Sequence, residues 1–74
     1  MDKAELNSVI ERHKQELEAL NARLGSLREG HVHVSAREAD GTVRDDTHVH
    51  ITELERLELW LTENVARFEA LLGA

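Results

Sequence analysis

Residues 31–52 read HVHVSAREADGTVRDDTHVHIT, and the reading of this stretch decides the fold. Its two halves, HVHVSAR and TVRDDTHVHIT, alternate polar and apolar side chains, the period of a strand with one buried face. Asp40-Gly41 lies between them, a dipeptide that supplies the positive φ angles of a tight hairpin turn. Taken as a two-residue loop, it sets Ala39 opposite Thr42, Arg37 opposite Arg44, His33 opposite His48, Val32 opposite Val49 and His31 opposite His50. Val32, Val34, Val43, Val49 and Ile51 then share one face. The opposite face carries His31, His33, Ser35, Arg37, Arg44, Asp46, His48 and His50. A slip of one residue would destroy this segregation, so the pattern predicts a hairpin over 31–51 in this register.

On the N-terminal side the period changes from two to 3.6. Leu6, Ile10, His13, Leu17, Leu20, Leu24 and Leu27 follow at alternating intervals of four and three, a seam interrupted only by His13. Val9 widens it by one position. Asp2 with Glu5 has the spacing of a capping-box variant, and Gly30 is a better terminator than Gly25, because Leu27 still continues the seam. These signals predict a helix over 2–29. On the C-terminal side, Thr52 and Glu55 form a T-x-x-E capping box. Leu54, Leu57, Trp60, Leu61, Val65, Phe68, Leu71 and Leu72 make a broad apolar stripe, and Gly73 ends it, which predicts a second helix over 52–72. The stripe is wider than packing against one helix requires. Leu59 falls on the other side with Ala66 and Ala70.

A hairpin returns the chain to its starting end, so the two helices are expected to run antiparallel. The expected class is α+β, in the order helix–β-hairpin–helix (αββα), with antiparallel amphipathic helices packed on a two-stranded antiparallel hairpin in a single domain over 1–74. If the strands project outward, the alternative is a helical hairpin with a β tip. Seventy-four residues bury only about 60% of the surface that the unfolded chain exposes. Chains of this size make up the shortfall with disulfides, metals or partner subunits. With no cysteine, disulfides and thiolate zinc sites are excluded. A homo-oligomer, dimer or tetramer, is therefore expected, built through strand edges or through a four-helix bundle.

Charge narrows the function classes. Fifteen acidic and nine basic residues give a formal net charge of −6, the wrong sign for neutralising phosphates, so no direct nucleic-acid partner is expected. Neither helix has a basic face for an anionic bilayer, and no apolar run of 18 residues exists to span one. The charged N-terminus does not read as a signal peptide, and the absence of cysteine agrees with a reducing compartment. A cytoplasmic location is expected.

Two groups of residues are candidates for a site. His31, His33, His48 and His50 would form one cluster on the predicted hairpin, since opposed residues have Cβ atoms ~5 Å apart. Such a cluster offers two to four nitrogen ligands to zinc or another divalent transition metal. Its competing readings are an ordinary polar sheet face and a pH-sensitive interface of stacked imidazoles. The second group is an interface of His13, Leu59, Trp60 and Asn64. His13 interrupts the first stripe and Asn64 the second, and polar residues in a seam fix register or oligomeric state. Antiparallel packing would set the two within about a turn of each other. Arg37 and Arg44, amid Glu38, Asp45 and Asp46, read as a neutralised charge cluster. No nucleophile–base–orienter arrangement and no phosphate-binding glycine loop is present, so no enzymatic role is expected. The expected function is a small non-enzymatic, homo-oligomeric interaction or regulatory module that engages another protein. The alternatives are a histidine-based metal module and an inhibitor, of the kind phages or plasmids encode, that acts on a basic protein surface.

Overall fold

The computed structural model describes residues 2–73 and has the order α1 (Lys3–Arg28), β1 (Ser35–Arg37), β2 (Val43–Asp45), α2 (Thr47–Gly73). This is an α+β helix–hairpin–helix, in which α1 and α2 pack on each other and the short hairpin projects from their joined end. Lys14 pairs with Glu69 at 3.6 Å and Arg28 with Glu55 at 3.1 Å. Fourteen residues forward on α1 thus correspond to fourteen back on α2, which fixes the antiparallel sense.

Each end of α1 has an identifiable cause. Asp2 has extended backbone angles, and its carboxylate accepts a hydrogen bond from the Glu5 N–H at 2.8 Å, satisfying one of the free donors of the first turn. At the other end Gly30 takes a φ of +79°, a left-handed conformation that glycine enters without cost. His31 N then donates to Ser26 O at 2.9 Å and Gly30 N to Leu27 O at 3.3 Å, the paired bonds of a Schellman cap. Between these ends, Leu6, Ile10, Leu20, Leu24 and Leu27 are buried, with Leu24 at 0% exposure. His13 and Leu17 complete the same stripe half-buried.

The hairpin departs from the expected one in length and register. Its strands have three residues each, and the pairs are Ser35 with Asp45, Ala36 with Arg44 and Arg37 with Val43. The loop holds three residues, Ala39 to Gly41, instead of two. Glu38 N donates to Thr42 O at 2.8 Å and Gly41 N to Glu38 O at 3.0 Å, while Gly41 takes a φ of +91°. This is a turn followed by a left-handed glycine, the usual three-residue hairpin loop. Asp40 favours it, because its carboxylate accepts from both the N–H and the hydroxyl of Thr42, at 3.0 and 2.7 Å. The extra loop residue slips the pairing by one, so Arg37 and Arg44 do not face each other.

The larger correction concerns residues 47–51. They belong to α2, not to a strand. The chain leaves the ladder at Asp46, whose N–H donates to Val34 O and whose carbonyl accepts from His50 N at 3.0 Å as the first helical bond. Asp45 turns the chain here: its carboxylate accepts from the N–H of Thr47 at 2.9 Å and from the Thr47 hydroxyl. Thr52 is consequently inside the helix, its hydroxyl donating to His48 O at 3.1 Å, and forms no capping box. Thr47, Ile51, Leu54, Glu58, Leu61, Val65, Phe68 and Leu72 recur at fours and threes, so helical periodicity begins at Thr47. All eight are half-buried except Leu61, which is buried. Alternation over five residues cannot distinguish a strand from a helix that buries one or two of the same side chains.

Among the described residues, none of those from Ser35 to Asp45 is buried, and Val43 is 63% exposed. The tip therefore depends on its local hydrogen bonds. Arg44 is held between Glu38 at 2.9 Å and Asp46 at 2.8 Å, the local neutralisation expected of this cluster.

Candidate functional site

Helix α2 carries most of the large apolar side chains left uncovered. Val49, Leu57, Leu59, Trp60 and Leu71 are exposed large hydrophobic residues of this one helix, and Trp60 is 56% exposed. An α-helix repeats every 3.6 residues, so two stripes offset by three or four positions lie side by side along it. One stripe, running from Thr47 to Leu72, faces α1. Beside it run Glu53, Leu57, Trp60, Asn64, Arg67 and Leu71, again at intervals of four and three. Only Asn64 of this second stripe is buried. Full burial of a Leu or Trp side chain is worth roughly 1.5–3 kcal/mol relative to exposure. The second stripe thus holds substantial unrealised burial energy within a single chain.

At its centre the second stripe meets α1 through His13. The His13 ring lies between Trp60, with centroids 6.3 Å apart, and Phe68, at 5.9 Å and edge-on. Trp60 and Phe68 stand one turn on either side of Asn64, so the structure brings His13 and Asn64 to the same level of the helix pair. They do not bond to each other among the described residues. The Asn64 side-chain oxygen accepts from Arg67 at 3.3 Å, and His13 Nδ1 is buried with no hydrogen-bond partner. A buried polar atom without a partner is costly. A polar kink of this kind at the edge of an exposed apolar stripe is a natural point of register control. Leu59 stands apart, on the opposite side of α2 with Ala66 and Ala70.

The four histidines of the expected metal cluster are not gathered as the predicted register required. His31 follows the α1 cap with its side chain exposed, 3.5 Å from Glu29. His33 is exposed ahead of β1. His48 and His50 lie in the first two turns of α2, and residues two apart on a helix point about 200° from each other. Among the described residues, no group of three or more His, Cys, Asp or Glu is placed to hold a metal ion. The strand assignment of 47–51 carried that geometry, and the helix dissolves it.

Electrostatics mark the tip instead. Hydrogen bonds from the Thr42 hydroxyl and N–H hold the Asp40 carboxyl below its ordinary range, and those from Thr47 do the same for Asp45. The bonded Asp46 carboxylate raises the Arg44 guanidinium. These shifts follow from turn and cap bonding, so they describe structural carboxylates. Among the described residues, no helix is long and apolar enough to cross a membrane.

The sequence singles out Trp60, Leu59, Asn64 and His13, and the breadth of the second stripe is visible there. Val49, as part of the same helix, and Glu53 and Arg67, within the second stripe, are not. The signal for Val49 was the Thr47–Ile51–Leu54 spacing behind two aspartates. Comparison of the chain with protein-family models, with curated proteins and with solved structures gives no match.

Proposed function

We propose that this chain is a small, non-enzymatic interaction module that works as a homo-oligomer, with the exposed apolar side of α2 as its working surface. The observation that carries this reading is the concentration of Val49, Leu57, Trp60 and Leu71, all uncovered, along one side of α2. Scattered exposed hydrophobic residues are normal on any protein, but a row of them along one helix is what an interface looks like before it is formed. Trp is also among the residues most enriched at the energetic centres of interfaces. Self-association would cover the stripe through Leu57, Trp60 and Leu71 and leave Leu59, with Ala66 and Ala70, facing outward to engage another protein.

Native mass spectrometry of the untagged protein, with and without added zinc, tests the reading. A defined oligomer whose mass is indifferent to zinc supports it. A monomer at tens of micromolar contradicts it. Zinc retained at a fixed ratio, and lost on substituting His31, His33, His48 and His50 by alanine, would establish the metal module in its place.

A further inference from the structure

We infer that the occupant of the α2 stripe is a second copy of this chain, with two α2 helices paired antiparallel about a two-fold axis that passes at Trp60. The inference rests on the reading that α2 carries the self-association surface, and it adds the orientation and the register.

The stripe is self-complementary about Trp60. Glu53 lies seven residues before Trp60 and Arg67 seven after, each two helical turns away. Val49 lies eleven before and Leu71 eleven after. Reversing the helix about Trp60 therefore sets Glu53 of one copy against Arg67 of the other, twice, because a two-fold contact repeats each pair. The same operation sets Val49 against Leu71, twice, and brings the two Trp60 rings together at the axis. On the outer rim Arg56 stands four before Trp60 and Glu63 three after, so the same operation brings these opposite charges to within one residue, about 1.5 Å of rise, of the same level.

Both central charges are free to take these roles. Glu53 and Arg67 are exposed and, among the described residues, neither forms an ion pair. The bond from Arg67 to the Asn64 side chain, at 3.3 Å, already draws the guanidinium along the stripe. A parallel pairing would place Glu53 on Glu53 and Arg67 on Arg67, which is repulsive at both ends. An apolar partner without matching charges would leave both groups desolvated and unpaired, a strong penalty.

The available length suits a stable dimer. From Val49 to Leu71 is 22 steps of 1.5 Å, or about 33 Å of helix. A standard interface removes roughly 800 Å² from each partner, about one-seventh of the 5444 Å² that this chain exposes. Dimerisation through strand edges has much less to offer, because each strand contributes only three residues.

Sedimentation equilibrium at low salt on the parent chain, on E53R, on R67E and on an equimolar mixture of the two variants tests the pairing. Each variant alone brings like charges together twice and should self-associate at least about tenfold more weakly than the parent. The mixture should recover parent-like affinity as a 1:1 heterodimer, because one variant's added arginine then meets the other's added glutamate at one site while the native Arg67 meets the native Glu53 at the other. Both positions are exposed, so circular dichroism should show parent helicity in each variant. Parent-like association of either single variant, or failure of the mixture to recover it, overturns this register while leaving an oligomer standing. A monomeric parent overturns both the register and the interaction reading beneath it.

Discussion

The two helices are nearly equal in length but differ in how they use their apolar residues. α1 buries Leu6, Ile10, Leu20, Leu24 and Leu27 and keeps only charged, polar, alanine and glycine positions outside its stripe. α2 fully buries Leu61 and Asn64 alone, while Leu57, Trp60 and Leu71 remain in solvent. One helix is saturated by its neighbour, and the other has apolar surface to spare. A seam between two helices can cover only one stripe on each. A helix written with two stripes is therefore incomplete within its own chain, and the functional reading follows from that inequality.

The inequality can be broken from either side. The largest expected effect comes from the saturated helix. Leu24→Ala empties a fully enclosed position and should cost about 2–5 kcal/mol of stability, measured by urea unfolding at fixed protein concentration. A cost below 1 kcal/mol would mean that α1 is not held by this seam. On the other helix, Trp60→Ala should leave monomer helicity close to that of the parent and weaken self-association by roughly 2 kcal/mol, the scale of an interface hot spot. Equal losses of helicity and association would blur the distinction between the two stripes.

The tip sharpens the comparison by contrast, since it lacks buried side chains and depends on backbone and carboxylate bonding. Gly41→Ala forces a residue with a Cβ into a positive φ, in open space, and should cost about 1–2 kcal/mol through strain alone. Amide exchange should show that loss in residues 35–45 ahead of the helices. The smallest effect is acidic. Hydrogen bonds from Thr42 and Thr47 hold the Asp40 and Asp45 carboxyls below the ordinary carboxylate range in the folded chain, so their stabilising bonds are complete above that range. The contribution is lost as pH falls through the depressed folded values. Fraying of the turn and of the first turn of α2 below about pH 4, seen in NMR shifts of Thr42 and Thr47, should precede loss of the helix pair. Simultaneous loss would show that the tip is not an independent element.

Much of this architecture is legible in the residues because it rests on long, repeated signals. Seven seam positions and the Asp2 and Gly30 caps define α1 to within a residue at each end, and the breadth of the α2 stripe is plain. The hairpin is legible as a turn but not as a register. Asp40-Gly41 serves two-residue and three-residue loops equally well, and the Asp40–Thr42 bonds select the longer one. The segment THVHI, residues 47–51, fits both periods over its five residues. The cap at Asp45 and Thr47, together with burial of Ile51, draws it into α2. The opposed placement of the four histidines rests on a strand over 47–51 and goes with it. His13, Leu59, Trp60 and Asn64 sit on elements of unambiguous period, so their places on the two helices are legible in the residues.

Trp60 is the only tryptophan of the chain, so its fluorescence reports directly on the central claim. Emission maximum and acrylamide quenching should be followed in the untagged protein from nanomolar to hundred-micromolar concentration. If α2 is the working surface, emission will shift to the blue and quenching will fall together along one association curve, as the exposed ring becomes enclosed. A red emission and full quenching that do not change with concentration, in a protein shown by sedimentation to be oligomeric, would place the interface elsewhere and contradict the account.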